Sequence, residues 1–264
     1  MEEGLLFTQD EWDAAIPDVV KAMTDFLRPY RTPIYEDCDG YGDGWGSGAY
    51  IQLGEQVFIL TNEHVSCVRD KGKILAYQFD GQDDIRRIVG NHIEYPAPID
   101  LGLLPLNMEA WTSSTHNSKA IGLEKFAFFH SPVFGELMTF TGFSGDKVNF
   151  YFDTLCAEGT CYTAREIALP SHSEINPQIH FGIDYRPDKA TTVIGTSGLP
   201  CPPGFSGSVV WNTGFVEAKM NGVPWTPDRA RVTGIVWGWP SGNGCLVATR
   251  VEYIRSFLLS AVTC

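Results

Sequence analysis

The sequence has no hydrophobic run long enough to cross a membrane, and it is poor in cations. A membrane-spanning helix needs about 20 consecutive apolar residues, and no stretch approaches that length. Lys and Arg together number 19 against 32 Asp and Glu, which gives a formal net charge of -13. Because such a surface repels phosphate groups, we expect neither a nucleic-acid partner nor a membrane partner.

The chain also lacks a secretion signal and an even number of cysteines. Met1-Glu-Glu-Gly4 is acidic where a signal peptide is basic, and no long apolar core follows it. Cys 7 is an odd count, which disagrees with a fully paired secreted framework. Cysteines in a reducing compartment stay thiols, so we expect a cytoplasmic protein.

The α/β-hydrolase signature Gly-x-Ser-x-Gly is missing around Ser206. Pro203-Gly-Phe-Ser-Gly-Ser208 is instead a tight turn that leads into the apolar run Val209-Val-Trp211. Glycines let backbone N–H groups point at one spot beside a serine hydroxyl, which is the arrangement that acyl transfer needs. The alternative interpretation is a plain Gly/Ser turn before a strand.

A base and an acid for such a serine occur upstream. A serine hydroxyl is a weak nucleophile until a base takes its proton, and histidine suits that task. His64 stands at the end of the apolar run Gln56–Thr61, and Asp100 directly precedes the run Leu101–Leu104. Because an unpaired buried Asp is costly, the position of Asp100 predicts a partner for it. The alternative for Asp100 is a simple turn residue.

The hydrophobic pattern predicts strands in the central part of the chain and helices at its two ends. Short apolar runs alternate with turn residues, and Gly 27 and Pro 16 are high counts. Residues 8–30 and 252–262 have helical periodicity. Thr8 and Glu11 predict a capping box at the first helix, and Pro17 predicts the start of a second helical segment.

Two segments are candidates for contact with a regulatory protein. The apolar stripe of residues 8–30 is expected to pack on its own domain, and the alternative is a docking face for a partner. Residues 215–231 are polar and interrupt two apolar runs, so we expect a surface loop.

A series of short motifs resembles the trypsin-like (chymotrypsin-fold) serine peptidases, most closely their bacterial HtrA-like branch. In family order the motifs are Gly46-Ser-Gly-Ala49, Leu60-Thr-Asn-Glu-His-Val65, Ile99-Asp-Leu-Gly-Leu-Leu104, Pro203-Gly-Phe-Ser-Gly-Ser208, Gly234-Ile-Val-Trp-Gly238 and residues 248–257. The resemblance implies an all-β fold class of two six-stranded antiparallel barrels with an N-terminal helical extension, a C-terminal helix and no PDZ domain. It divides the chain into the extension 1–33, the first barrel 34–112, and 113–264 with a linker, the second barrel and the closing helix.

The same resemblance implies the site residues. His64, Asp100 and Ser206 are the expected catalytic triad, in the cleft between the barrels. The expected oxyanion hole lies in the turn formed by Gly204, Phe205 and Ser206. The expected substrate-binding residues are Leu199, Pro200, Val236, Trp237, Gly238 and Trp239. The resemblance also implies that residues 215–231 are an insertion beside the substrate cleft.

Four residues depart from the family pattern or leave it open. Phe205 stands where secreted members have an Asp that pairs with a new N-terminus, so activation by that salt bridge is not expected. Ser208 replaces a glycine and adds a side chain close to the cleft, and both residues are able to spoil the oxyanion hole. Cys201 and Cys245 approximate a family disulfide, although the other features favour thiols.

These observations predict a gated cytoplasmic serine endopeptidase that acts on protein or peptide substrates. We expect no cofactor and no metal. The acidic loop 36–44 is the only plausible ion site, and its ligand set is incomplete because Gly48 stands where a calcium loop needs Glu. The alternative function is a catalytically inactive trypsin-like fold that serves as a protein-binding module.

Overall fold

Two antiparallel β units and a helix at each end make up the structure, a computed structural model that describes residues 8–37, 42–151, 154–195, 198–240 and 244–262. Residues 38–41 of the acidic loop therefore lie outside the described residues. The helices are α1 Gln9–Leu27, α2 Glu63–Ser66, α3 Met108–Ser113, α4 Phe215–Met220 and α5 Val251–Val262. The strands are β1 Arg31–Asp37, β2 Gly42–Leu53, β3 Gln56–Thr61, β4 Ile74–Gln78, β5 Ile85–Arg87, β6 Ile93–Tyr95, β7 Leu101–Pro105, β8 Leu137–Gly142, β9 Val148–Tyr151, β10 Thr154–Ala157, β11 Thr160–Ile167, β12 His180–Asp184, β13 Val209–Asn212, β14 Arg231–Gly238 and β15 Cys245–Arg250.

The fold class is confirmed, although among the described strands only the second of the two units closes into a six-stranded barrel. The second unit is a closed barrel of six strands in the order β11-β12-β15-β14-β13-β8. The first unit is a seven-stranded sheet, β5-β4-β1-β2-β3-β7-β6, where six strands were predicted. Strands β5 and β6 are short and lie at the two edges of the sheet, where β5 pairs with β4 and β6 pairs with β7.

A shared hydrophobic cluster joins the two units and both terminal helices. Its buried members include Ile51 and Leu103 of the first unit, and Val209 and Trp211 of the second. Burial of each large apolar side chain contributes about 1.5–3 kcal/mol, so this cluster is a strong reason for the two units to stay docked. The cleft between the units is thereby fixed in place.

Helix α1 is one continuous helix that packs on the rest of the chain. The predicted capping box is present: Glu11 N–H donates to Thr8 Oγ1 at 3.2 Å, and Thr8 N–H donates to Glu11 Oε2 at 3.0 Å. Pro17 lies inside the helix, so the predicted break there is wrong. The buried stripe Val19, Met23 and Leu27 belongs to the shared cluster and is not available as a docking face in this fold.

The segment 215–231 lies largely at the surface, as predicted, but it is not a plain loop. It contains α4 and a short 3-10 turn at Pro227–Arg229, and Phe215 packs against Trp12 of α1 at a ring-centroid distance of 6.3 Å. The buried carboxylate of Glu136 organises this segment. It accepts hydrogen bonds from the hydroxyl of Thr213 at 3.0 Å and from the N–H groups of Val216 at 3.1 Å and Glu217 at 3.0 Å.

Replacement of Glu136 by Ala is expected to lower the free energy of unfolding. The substitution leaves buried donors of the segment without acceptors, and each such donor costs about 1–3 kcal/mol. Chemical denaturation of Glu136→Ala beside the exposed control Glu217→Ala measures the effect. The explanation is wrong if the two variants lose the same small amount.

Candidate active site

His64 is held against Asp100 just after strand β3. The His64 Nδ1 atom lies 2.6 Å from Asp100 Oδ2, and the backbone N–H of His64 donates to Asp100 Oδ1 at 2.9 Å. A carboxylate only accepts, so the proton of the neutral ring is on Nδ1 and the Nε2 lone pair is free. The His64 side chain is 47% exposed and that of Asp100 is 3% exposed. The His64 ring therefore reaches solvent while the Asp100 carboxylate stays behind it.

The backbone at Asp100 has an unusual conformation that its neighbours maintain. Its φ angle is 56°, in the left-handed region that few residues other than Gly, Asn and Asp enter readily. Side-chain donors bond three successive carbonyl groups of this loop. They are His180 Nε2 to Pro98 O at 2.9 Å, Thr249 Oγ1 to Ile99 O at 3.1 Å, and Asn62 Nδ2 to Asp100 O at 2.8 Å.

The turn that carries Ser206 requires both of its glycines. Gly204 has a φ angle of 99° and Gly207 one of 89°. A Cβ atom on Gly204 would stand 2.4 Å from Phe143 O, and one on Gly207 would stand 2.0 Å from Ser47 O. Any side chain at either position would therefore force the turn to move.

Ser47 of β2 fastens this turn to the first unit. Its N–H donates to Ser206 O at 2.8 Å, and its Oγ donates to Gly204 O at 2.7 Å while accepting from Phe143 N at 2.9 Å. Ser47 is fully buried. Sequence reasoning missed this role, although a serine between two strand glycines, Gly46 and Gly48, was its signal.

Two backbone donors of the turn are free. Among the described residues, the N–H groups of Gly204 and Ser206 donate to no acceptor. The carbonyl of Pro203 points instead to Gly145 N, at 3.1 Å. Free, neighbouring N–H groups of this kind are able to bind a developing negative oxygen.

Neither departure from the family pattern places a side chain in the cleft. Phe205 is 1% exposed and packs edge-on against Phe140 at a ring-centroid distance of 5.4 Å. Ser208 is 1% exposed, and its Oγ lies 2.3 Å from the point where a Cβ on Gly142 would stand. The expectation that Ser208 adds a side chain close to the cleft is therefore wrong. Phe205 anchors the turn in the second barrel by hydrophobic burial.

Gly46 lies between the side chain of Val65 and the backbone of Ser206. A Cβ atom on Gly46 would stand 2.9 Å from Val65 Cγ1 and 3.4 Å from Ser206 O, and Val65 follows His64 in the chain. Within the described ranges, no hydrogen bond joins His64 to Ser206. The triad assignment thus stays a prediction.

A cavity of about 620 Å³ opens beside His64. Its lining includes Glu63, Pro98, Ile175 and Trp237. Burial and the nearby carboxylate of Asp100 raise the pKa of Glu63. Neither Ser206 nor residues 215–231 belong to its described lining, so the expectation that 215–231 lie beside the substrate cleft stays a prediction.

The predicted substrate-binding residues lie in different surroundings, and their roles stay predictions. Trp237 lines the cavity and Trp239 is 40% exposed at the end of β14. The Val236 side chain is buried, and its backbone pairs with the serine turn. Pro200 O accepts from the hydroxyl of Tyr185, and Leu199 packs against the barrel core. Gly238 is the last residue of β14.

One cluster in the described ranges has ligand types for a metal ion. It comprises Asp70, His92 and Glu94, with His92 Nε2 at 2.9 Å from Glu94 Oε1 and 3.7 Å from Asp70 Oδ1. Arg69 lies 3.3 Å from His92 Nδ1 and can only donate, so the ring proton sits on Nε2 and bonds Glu94. The cluster is therefore satisfied by hydrogen bonds among its own members and Arg69.

The comparisons with known proteins match the fold and not the sequence. No protein-family model matches the chain, and no curated protein matches it in sequence. The MamO protease domain from Magnetospirillum magneticum superposes with a TM-score of 0.50 at 12% identity, over 87% of this chain and 96% of that chain. A serine endoprotease from Yersinia pestis superposes with a TM-score of 0.54 at 14% identity, over 92% of this chain and 66% of that chain. The chain has a trypsin-like protease fold.

The parts of the chain with described structure contain neither a membrane-spanning helix nor a disulfide. No helix there is both long and apolar enough to span a bilayer. Cys67, Cys161, Cys201 and Cys245 are free thiols. The family-like pairing of Cys201 with Cys245 is therefore not formed, and burial raises the pKa of Cys245 to about 11.

Replacement of Ser47 by Ala is expected to destabilise the fold. The substitution leaves the buried Phe143 N–H without its acceptor, and removal of such a partner costs about 1–3 kcal/mol in the free energy of unfolding. The exposed Ser113→Ala is the matched control, for which a change within about 0.5 kcal/mol is expected. Urea denaturation of both variants is the measurement. Equal stabilities would contradict the role of Ser47.

Stability is expected to fall in mild acid because of His180. Burial lowers the pKa of His180 in the folded chain, so the unfolded chain, with a histidine pKa of about 6.5, takes up this proton first as the pH falls. The contribution of neutral His180 is complete above about pH 6.5 and declines below it. His180→Gln does not titrate, so its free energy of unfolding should fall less between pH 7 and pH 5 than that of the wild type. Parallel curves for the two proteins would contradict this account.

Proposed function

We propose that the chain is a serine endopeptidase in which Ser206 is the nucleophile, His64 the general base and Asp100 the residue that orients His64. The observation that carries the proposal is the His64–Asp100 pair. Its distance of 2.6 Å and the burial of Asp100 fix the ring proton on Nδ1 and leave Nε2 able to accept a proton. The free N–H groups of Gly204 and Ser206 support an oxyanion hole in the same turn as Ser206.

The proposed reaction has two halves of the same kind. Ser206 Oγ attacks the carbonyl carbon of a peptide bond while His64 Nε2 takes its proton, and the negative oxygen binds to the N–H groups of Gly204 and Ser206. The C–N bond then breaks, and the amine leaves with the proton from His64 Nε2, which yields an ester on Ser206. A water molecule attacks this ester by the same route and releases the acid. Asp100 keeps its charge throughout and stabilises the protonated ring of His64.

The second candidate function is a catalytically inactive module that binds proteins. The absence of a His64–Ser206 hydrogen bond from the described residues favours it. Catalytic hydrogen bonds are often long in free enzymes and tighten with substrate, so this observation weighs less than the ordered His64–Asp100 pair. We therefore place the peptidase first.

Covalent labelling by a fluorophosphonate tests the nucleophile. The wild type should gain one phosphonyl group, and Ser206→Ala none. His64→Ala should slow labelling by about 10⁴-fold or more, because the hydroxyl loses its base. The matched control is Ser208→Ala, which removes a buried serine hydroxyl two residues away and should label like the wild type. Intact-protein mass spectrometry counts the adduct.

Two outcomes contradict the peptidase. The first is a wild type that gains no label, and the second is equal labelling of Ser206→Ala. Digestion of a peptide library with mass spectrometry then separates a peptidase from other serine hydrolases. New cleavage products that vanish in Ser206→Ala support the proposal, and binding of library peptides without cleavage supports the inactive module.

A further inference from the structure

We propose that His180 is a positioning residue that holds the Asp100 loop from the opposite unit and so sets the orientation of His64. This inference rests on the proposed function, because it assigns His180 to the same site. His180 belongs to β12 of the second barrel, whereas Asp100 precedes β7 of the first sheet. None of the sequence motifs includes His180.

His180 and Thr249 act as a pair. They face each other across the antiparallel strands β12 and β15. Because cross-strand partners present their side chains on the same face of a sheet, both reach the same stretch of the first unit. His180 Nε2 lies 2.9 Å from Pro98 O, and Thr249 Oγ1 lies 3.1 Å from Ile99 O. Two consecutive carbonyls immediately before Asp100 are thus bonded by the second barrel.

These bonds act on the residue whose conformation needs support. Asp100 has a φ angle of 56°, and a non-glycine residue in such a conformation persists only when its surroundings fix it. A carbonyl of the preceding loop that loses its donor is free to rotate, and the peptide planes up to Asp100 rotate with it. The Asp100 carboxylate, which bonds His64 at both its ring and its backbone, would then shift.

The contacts of His180 specify one uncharged form of its ring. Asn176 N–H donates to Nδ1 at 3.0 Å, so Nδ1 carries no proton and Nε2 is the donor to Pro98 O. The ring is completely buried. The charged groups that act on it are Asp100 and Arg250, with opposite signs. Protonation of Nδ1 would break the bond from Asn176 and place a charge in the interior.

His180 also contacts the wall of the cavity beside His64. Its ring stacks on Trp237 with a centroid distance of 5.0 Å and an interplanar angle of 24°. Trp237 and Pro98 both line that cavity. One side chain therefore contacts the acid loop and the cavity wall at once.

Substitutions separate the hydrogen bond from the packing. His180→Phe keeps a flat ring for the Trp237 stack and removes the donor to Pro98 O, whereas His180→Gln keeps a donor of similar reach. The matched control is His130→Phe, since His130 is also buried and also stacked, on Phe181 at 3.8 Å, and bonds Thr233 at 2.7 Å in another part of the barrel. Both Phe variants are expected to lose similar thermal stability.

The first readout is steady-state peptide hydrolysis. His180→Phe should lower kcat by about 10- to 100-fold with little change in KM, because a misplaced acid and base slow the chemical step. His180→Gln should recover most of this loss, and His130→Phe should keep kcat within about threefold of wild type. An unchanged kcat in His180→Phe, or a loss of the same size in His130→Phe, would overturn the proposal.

The second readout does not need a working nucleophile. In the Ser206→Ala background, the proton between His64 Nδ1 and Asp100 should give a resolved low-field NMR signal. We expect this signal in the His130→Phe and His180→Gln variants and its loss or displacement in His180→Phe. If the wild type hydrolyses no peptide, the proposed function fails and the NMR signal alone decides the role of His180. A signal that is unmoved in His180→Phe overturns that role.

Discussion

The docking of the two β units is the constraint on which the site depends, and Ser47 is its centre. From the first unit, Ser47 bonds the carbonyls of Ser206 and Gly204 through its N–H and its hydroxyl, at 2.8 and 2.7 Å. The turn has little freedom to move, because Gly204 packs closely against the backbone of Phe143 and Gly207 against the backbone of Ser47. Contacts from the first unit, outside the barrel that carries Ser206, therefore determine the position of Ser206.

The dependence runs in the other direction as well. The second barrel supplies His180 and Thr249 to the loop that carries Asp100, which belongs to the first unit. Each unit thus fixes a part of the site that the other carries. Because both sets of bonds form only across the docked interface, the shared hydrophobic cluster stabilises the fold and the site geometry together. Through this exchange, the turn that carries Ser206 and the loop that carries Asp100 are each held by the opposite unit.

Local sequence patterns predicted much of the fold, but they could not predict contacts between residues that are far apart in the chain. The capping box of α1 depends on neighbouring residues, and it was predicted from the sequence. The ordered motifs predicted His64 and Asp100 as partners, and the structure brings them into contact. Sequence reasoning did not anticipate the helix α4, because its start is organised by Glu136, far away in the chain. Ser47 and His180 were missed for the same reason, since a buried side chain that bonds a distant carbonyl leaves no periodic signal.

The crystal structure of a complex with a peptide boronic acid tests the central claim most directly, because a boronate adduct mimics the tetrahedral intermediate. The account predicts a bond from boron to Ser206 Oγ and one boronate oxygen about 2.7–3.1 Å from the N–H groups of both Gly204 and Ser206. It also predicts His64 Nε2 in hydrogen-bond contact with the adduct, with His64 Nδ1 still bonded to Asp100. A boronate bonded to another residue, or one whose oxygen contacts neither N–H group, would contradict the account.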